Sequence, residues 1–343
     1  MGDDFRRLIR VATADLLYYS GLLRLWRRLR HRFSHQDEVC ILGLHRVLSA
    51  EDAPKSHSLG GIVLREETFA QMLEYLDRNF SVIPCDALLT EGTGHTDASR
   101  PVCLLTFDDG WRDTFTTAYR WLKKFEMPAT VFVTTGLIDT LDSHWVEKLA
   151  RSWKDPGQRA QIRNRIGSIL EEPGHTVGLE EIVEYLKHLA STKREQLLAE
   201  LISSTGDGQP PLDVDRMMSW DQVAELSRGG WEIGAHTLTH PLLVYENDAT
   251  IERELRLAKQ TVEARLGKRV RTFAYPNGNW DERVRQWVIR AGYECAFTTQ
   301  SGWHNHGQDP FTIRRILLHE GNVTGWGGKF SPAMLTFTLA RAR

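Results

Sequence analysis

The sequence lacks several features that would define its class at once. Its 343 residues include only four cysteines and no Cys-x-x-Cys pair, so we expect buried, reduced thiols rather than a disulfide framework or a cysteine-held zinc ion. It contains no uninterrupted apolar run of about 18 residues, so no membrane-spanning helix is predicted. The formal net charge is only -2, and nothing in that balance points to nucleic acid as a partner.

Residues 1–35 form a basic segment. Between Phe5 and Phe33, eight arginines and several apolar residues accompany a single acid, Asp15. A secretory signal would need a longer uncharged core and a small-residue cleavage site, and neither is evident. Two interpretations stay open: an amphipathic helix on an anionic membrane surface, or a helix packed on the protein with its arginines in water. We expect a location in the cytoplasm or peripherally on the cytoplasmic membrane.

Apolar runs alternate with helical patterns along most of the remaining chain. The run 102–107 is typical of a parallel strand covered on both faces, and similar runs occur at 129–133, 231–234 and 270–275. This alternation predicts an α/β fold with a parallel sheet or barrel. The charged, helical section 145–214 interrupts it, and we interpret that section as an insertion that forms a wall or lid.

Two adjacent carboxylates, Asp108 and Asp109, directly follow the first of these runs. Asp-Gly sequences are common in solvated turns, but barrels and open α/β sheets bind their ligands at the carboxyl ends of strands. Successive side chains at a strand end point in different directions. One carboxylate can therefore bind a metal while its neighbour faces a substrate.

Two histidines, His236 and His240, stand four residues apart after another predicted strand. Pro241 and the preceding strand favour a loop or single turn over a helix. Two imidazoles and one carboxylate, with positions left for water, make a catalytic zinc-type site. The zincin motif would place a glutamate base where this chain has Thr237. The aspartate of the pair Asp108 and Asp109 that does not bind the metal is then available as the base.

Three motifs occur in a defined order along the chain: Thr106-Phe107-Asp108-Asp109-Gly110, His236-Thr237-Leu238-Thr239-His240 and Phe273-Ala274-Tyr275-Pro276-Asn277-Gly278. In order and spacing they resemble the polysaccharide deacetylase family (the NodB homology domain, carbohydrate esterase family 4), and the similarity covers roughly residues 36 to 321. The resemblance implies a distorted (β/α) barrel. We expect this α/β domain to span residues 36–335, with the helical insertion 145–214 inside it and the amphipathic segment 1–35 before it.

The resemblance also implies an activity and a division of roles. Family members remove acetyl groups from N-acetylated sugars, which implies a metal-dependent hydrolase that acts on a polysaccharide or glycan precursor and releases acetate. By position, Asp109, His236 and His240 would hold a divalent metal, for which we expect zinc. Asp108 would be the general base.

The third motif departs from the family pattern. Many members have an arginine that orients the base where this chain has Ala274, and a tyrosine where it has Asn277. A backbone N–H near Asn277 would still stabilise the oxyanion, and we assign Tyr275 to the same substrate region. Arg271, three positions before Ala274, is a candidate replacement for the arginine. However, side chains alternate between the two faces of a strand, and residues three positions apart point to opposite faces.

Three further residues are candidates by position. His319, in Ile316-Leu317-Leu318-His319, corresponds to the family's late histidine, a general acid, with a structural histidine as the alternative. His45 ends a predicted strand at the catalytic edge, and Trp111 lies beside the first motif. Both are candidates for the pocket, with a scaffold or core role as the alternative.

Two other classes of function stay open. The altered third motif would suit a non-catalytic carbohydrate-binding protein, whereas the spare carboxylate favours catalysis. The insertion 145–214 could instead reshape the pocket for a small non-sugar amide. An N-acetylated glycan remains the expected partner.

Overall fold

The computed structural model describes residues 3–33, 38–89, 100–170, 177–202, 211–305 and 307–342. Its strands are β1 (Glu38–Leu44), β2 (Arg46–Leu48), β3 (Val63–Arg65), β4 (Ser81–Val82), β5 (Val102–Phe107), β6 (Thr130–Val133), β7 (Glu232–Ala235), β8 (Thr272–Ala274), β9 (Cys295–Phe297), β10 (His304–Asn305) and β11 (Ile316–Leu317). Its helices are α1 (Asp3–Tyr19), α2 (Leu22–Phe33), α3 (Glu66–Asn79), α4 (Asp86–Leu89), α5 (Arg120–Lys124), α6 (Trp145–Lys154), α7 (Pro156–Leu170), α8 (Leu179–Lys187), α9 (Ser191–Ile202), α10 (Trp220–Arg228), α11 (Asp248–Leu266), α12 (Glu282–Arg290), α13 (Glu320–Val323) and α14 (Pro332–Arg341).

The central sheet is parallel along the order β1-β5-β6-β7-β8-β9. Parallel neighbours need crossover connections, which accounts for the helices between them. The two ends of this sheet curl towards each other. Ile313 pairs with Phe297 at the end of β9, and β11, which follows Ile313 in the chain, pairs in parallel with β1. The expected distorted (β/α) barrel is confirmed.

Side-chain alternation along the strands separates the inside of the barrel from the outside. On β5, Leu104 belongs to an inner apolar cluster with Phe132 and Phe297, whereas Phe107 belongs to the outer cluster beneath the helices. Because side chains alternate with a period of two, the next residue, Asp108, points inward. The strand pattern thus aims the first carboxylate at the barrel axis.

Of the helices between β6 and β7, α6 to α9 belong to the section 145–214. Leu149, Ile166, Val183 and Leu198 are among the residues of an apolar cluster that these helices share. The section therefore has a small core of its own beside the barrel.

Helices α1 and α2 pack against α14. Val11 and Ala14 form an apolar cluster with Ala333 and Met334, which agrees with the interpretation of a helix packed on the protein. No helix in the described ranges is both long enough and apolar enough to cross a membrane. The four cysteines are buried and free, as expected.

Candidate active site

The chain turns sharply after β5. Asp109 and Gly110 both have positive φ, at 76° and 89°. A Cβ on Gly110 would lie 2.8 Å from Ile138 Cδ1, so glycine suits both the backbone and the space. The turn directs Asp109 away from Asp108, and the two carboxylates acquire different partners.

A buried arginine from late in the chain holds Asp108. Arg315 Nη1 and Nη2 each donate to one Asp108 oxygen at 2.7 Å, while Arg315 Nε donates to the Thr298 carbonyl at 2.9 Å. Burial favours the protonated form of Asp108, but the Arg315 charge outweighs it and the pKa of the carboxyl is lowered. This two-point contact therefore fixes Asp108 and keeps it ionised near neutral pH.

The assignment of Arg271 to the pocket is wrong. Arg271 precedes β8 and so lies at the amino end of that strand, opposite the edge where Asp108 lies. Its Nε donates to Glu294 at 2.7 Å, and its Nη1 donates to Asp86 at 2.8 Å. Arg315 is the arginine that contacts the candidate base.

Asp109, His236 and His240 bring three ligand atoms together. Asp109 Oδ1 lies 3.5 Å from His236 Nε2 and 3.4 Å from His240 Nε2, and the two nitrogens are 3.2 Å apart. Two donors bound tetrahedrally at about 2.1 Å from one ion would lie about 3.4 Å apart. These residues are a candidate metal-holding group within the described chain, and one carboxylate with two imidazoles suits zinc.

Neighbouring groups orient these three side chains. Trp111 Nε1 donates to Asp109 Oδ2 at 2.9 Å, which leaves Oδ1 for the cluster. His236 Nδ1 lies 2.7 Å from the Ala274 carbonyl, so that nitrogen is the donor and Nε2 keeps its lone pair. Burial and then the neighbouring histidines lower the pKa of His240 well below its ordinary value. A neutral imidazole is the form that metal ligation requires.

The segment from His236 to His240 is a loop, as expected. Thr237 has φ 64° and His240 has φ 61°. Glu254 of α11 is fully buried and accepts hydrogen bonds from the Leu238 and Thr239 N–H groups at 2.9 and 2.8 Å. This carboxylate fixes the loop that carries both imidazoles, although nothing in the sequence pattern pointed to it.

A cavity of about 770 Å³, including space open to solvent, lies over this cluster. Most of the predicted site residues line this cavity, namely His45, Asp108, Asp109, Trp111, His236, His240 and Asn277. His45 Nε2 lies 3.8 Å from Asp108 Oδ2. The insertion supplies another wall through Trp145, Val146, Glu147, Val183 and Lys187.

Sequence reasoning missed two cavity residues, His144 and Glu147. His144 Nε2 lies 3.9 Å from Asp109 Oδ1 and has no hydrogen-bond partner among the described residues, and its ring centroid is 4.8 Å from that of His240. Burial raises the pKa of Glu147 to about 7, and its Oε1 accepts a hydrogen bond from Ser58 Oγ at 2.9 Å. The two residues stand three positions apart at the start of α6. Side chains at this spacing share one face of a helix, which is the sequence signal that could have marked them.

Two other predicted residues have roles outside the cavity. Tyr275 is buried and its hydroxyl donates to the Phe311 carbonyl at 3.0 Å, so its assignment to substrate binding is wrong and the side chain is a core group. His319 is absent from the cavity lining in the described structure, and its Nδ1 accepts a hydrogen bond from Gly321 N–H at 3.2 Å. Burial and then Arg10 lower the pKa of His319. That shift disfavours the cation that a general acid would need.

Asn277 lies at the cavity in a tight turn with φ 55°. Its Oδ1 accepts a hydrogen bond from Lys187 Nζ at 3.0 Å. The N–H groups of Tyr275, Gly278 and Asn279 already donate to backbone carbonyls. The Asn277 N–H is therefore the remaining candidate donor of this turn.

Solved structures with this fold include a protein named as a deacetylase and the protein IcaB. The Streptococcus pyogenes deacetylase PplD in complex with acetate gives a TM-score of 0.54 at 18% identity, over 84% of this chain and 94% of that chain. IcaB from Ammonifex degensii gives a TM-score of 0.55 at 17% identity, over 89% of this chain and 98% of that chain. At these identities the likeness shows a shared fold.

The sequence shows the family itself. The polysaccharide deacetylase family profile matches residues 95–296, which is more than half of the chain. The chain belongs to the polysaccharide deacetylase family, and the resemblance seen in the three motifs is confirmed. YxkH of Bacillus subtilis, which carries the same family name, is 20% identical over 223 residues, or 65% of this chain and 53% of that protein. The chain thus spans about half the length of this curated relative.

Proposed function

We propose that this protein is a metal-dependent hydrolase that removes N-acetyl groups from a polysaccharide or glycan precursor and releases acetate. The observation that carries the proposal is the separate use of two adjacent carboxylates. Asp109 joins the three-atom ligand cluster, whereas Asp108 lies beside it and is held ionised by Arg315. A site built for binding alone would not need this second carboxylate.

Asp109, His236 and His240 would hold a divalent ion, for which the donor set favours zinc, and that ion would supply Lewis-acid chemistry for amide hydrolysis. Asp108 accepts the proton of the attacking water. Arg315 keeps Asp108 ionised and limits its rotation, so the base is ready before substrate arrives.

The turn at Asn277 supports the next part of the reaction. Its N–H is fixed before negative charge develops on the carbonyl oxygen, which is the condition for effective oxyanion stabilisation. The hydroxyl of water adds to the carbonyl carbon, the C–N bond breaks, and the proton held by Asp108 passes to the departing amine. The products are acetate and a free amine.

Apolar groups around the cavity suit an acetylated sugar. Trp145, Val183, Leu59 and Leu242 line it together with the polar cluster. Such side chains pack against an acetyl methyl group and the apolar face of a sugar ring, while a few polar groups set the orientation. The cavity composition therefore supports an N-acetylated glycan as substrate.

The decisive experiment separates metal binding from proton transfer. Asp109→Ala and His236→Ala should lose both bound metal and turnover. Asp108→Asn should keep the metal but lose acetate release by about 100-fold or more. Elemental analysis and acetate release from a panel of N-acetylated oligosaccharides measure the two properties.

The control is Asp221→Asn, which replaces an exposed carboxylate on α10. This variant should match the parent protein in metal content and in acetate release. Undiminished acetate release from Asp108→Asn would rule out the assigned base. A parent protein with neither metal nor acetate release would favour a non-catalytic binding protein.

A further inference from the structure

Exposed large apolar side chains are concentrated on the first two helices. Among the described residues, eight of the twelve such side chains lie on α1 and α2, namely Phe5, Leu8, Ile9, Leu16, Tyr19, Leu22, Leu25 and Leu29. Single exposed apolar residues are normal on protein surfaces, whereas a contiguous group of them marks an interaction site. The concentration on two adjacent helices therefore calls for a partner.

On α1 these residues form a stripe that faces away from the protein. Leu8, Leu16 and Tyr19 fall on one helical face, and Leu16 and Tyr19 are 70% and 79% exposed. Val11 and Ala14 lie on the opposite face, where they pack against α14. Helix α1 is thus apolar on two sides, and the protein covers only one of them.

Helix α2 repeats this arrangement. Leu22, Leu25 and Leu29 recur at helical spacing and are 53%, 51% and 43% exposed. Leu23 is buried and Trp26 packs against the main apolar core. The inner face of α2 therefore anchors the helix, while its outer leucines add further exposed apolar side chains to those of α1.

The charges beside this surface are mainly positive. Arg24 and Arg28 are exposed on α2, and together with Arg78 they line a groove next to α3, where Glu74 is the acidic residue. Asp15, the acidic residue among the described side chains of α1, already accepts a hydrogen bond from Trp326 Nε1 at 2.7 Å. A second copy of this chain would bring the same arginines to the contact, whereas anionic headgroups would complement them.

We propose that α1 and α2 form a docking face for an anionic phospholipid bilayer. The exposed apolar residues enter the boundary between headgroups and acyl chains, and the arginines contact lipid phosphates. The helices lie in the plane of the membrane surface, with α14 behind them as a rigid support.

Sedimentation of the full chain with vesicles tests this proposal. The protein should bind phosphatidylcholine vesicles that contain phosphatidylglycerol, and bind pure phosphatidylcholine vesicles more weakly. Leu16→Gln/Leu25→Gln/Leu29→Gln should lower the partition coefficient by about tenfold or more. Arg24→Gln/Arg28→Gln should lower it by about fivefold per arginine, and only on the anionic vesicles.

Matched variants elsewhere serve as controls. Leu141→Gln/Leu212→Gln removes leucines that are 67% and 45% exposed, and Arg228→Gln/Arg256→Gln removes exposed arginines. Neither double variant should change binding, and circular dichroism should show that every variant is folded.

Absence of binding to phosphatidylglycerol vesicles, or equal binding by the triple leucine variant, would overturn the proposal. So would self-association without vesicles that the triple variant abolishes, because it would assign the surface to a second copy of the chain. Vesicle binding is measured in the absence of substrate. A failure to bind vesicles would therefore not count against the proposed deacetylase activity.

Discussion

At the scale of single residues, Arg315 resolves the departure seen in the third motif. Its guanidinium lies 5.8 and 6.0 Å from the ring centroids of Phe132 and Phe297 inside the barrel, and it contacts Asp108 from 207 positions along the chain. Ala274 belongs to the same inner cluster. In the proposed mechanism Arg315 takes the role of the family arginine, whose position is occupied here by Ala274.

Replacing Arg315 should therefore alter the base rather than the metal group. Arg315→Lys keeps a charge but loses the two-point contact, so kcat should fall by about tenfold or more while metal content is retained. Because Arg315 lowers the pKa of Asp108, weakening that contact raises this pKa, and the acidic limb of the kcat/KM profile should move to higher pH. Profiles measured on metal-loaded protein check this shift.

Arg271→Lys is the matched control, because Arg271 pairs with Glu294 and Asp86 outside the cavity. It should leave both kcat and the acidic limb unchanged. An Arg315→Lys profile that overlays the parent profile would contradict the assigned role.

The sequence predicts site residues more readily when they share a motif than when they lie outside one. Asp109 and His240 belong to local patterns with recognisable spacing, and the structure brings them together. Glu254 reaches the loop that carries the two histidines only through tertiary folding, so no local pattern identifies it. Tyr275 was assigned to substrate binding because it belongs to the third motif, but its own side chain is buried in the core.

At the scale of elements, the insertion contributes a wall that the barrel alone does not have. Trp145 begins α6, and Val183 lies on α8; both line the cavity. Lys187, at the end of α8, donates across to Asn277. The insertion thus connects to the turn that carries the candidate oxyanion donor.

Lys187→Ala should affect substrate binding more than stability. An exposed contact of this kind contributes about 0–1 kcal/mol, so the free energy of unfolding should change little. Loss of the contact with Asn277 should raise KM for N-acetylated oligosaccharides by about threefold or more, while metal content is retained. Steady-state kinetics over the substrate panel measure the change.

Lys148→Ala provides the comparison, because Lys148 also lies in the insertion but pairs with Asp142 outside this cavity. It should keep the parent KM. Unchanged KM values for Lys187→Ala across the whole panel would show that α8 does not participate in binding.

Elements are predictable where their pattern is local. The apolar run of β5 and the proline after His240 indicate a buried strand and a loop, and both are present. The packing of α1 on α14 joins opposite ends of the chain, and no local periodicity predicts which face of α1 is covered. The two interpretations of residues 1–35 are therefore compatible, since one face of α1 packs on the protein and the other remains exposed.

At the scale of the whole molecule, buried charges connect the cavity to distant segments. Arg46 is fully buried, pairs with Asp113 and Asp215 at 2.9 and 2.7 Å, and lies 4.2 Å from the Trp111 ring centroid. Breaking such a network leaves uncompensated charge, which costs about 3–5 kcal/mol. Glu147 lies within the field of the Arg46 charge, so its ionisation affects the same region.

The stability of the molecule should consequently depend on the protonation of Glu147. Burial raises the pKa of Glu147 from 4.5 to about 7 in the folded protein, although the Arg46 charge opposes this. The folded protein therefore binds this proton more tightly than the unfolded chain does. The resulting stabilisation is fully present below about pH 4.5 and is lost as pH rises through about 7, a change of roughly 3 kcal/mol.

Glu147→Gln cannot ionise, so its free energy of unfolding should fall less between pH 5 and pH 8 than that of the parent protein. Urea unfolding of metal-free protein at both pH values measures the difference without interference from metal release. Other groups titrate in this range as well, so the comparison between variants isolates Glu147. Glu184→Gln removes a carboxylate whose side chain is 62% exposed and should retain the parent slope. If Glu147→Gln also retained that slope, the buried carboxyl would not hold its proton in the folded state, and Glu147 would add a further negative charge to the cavity at neutral pH.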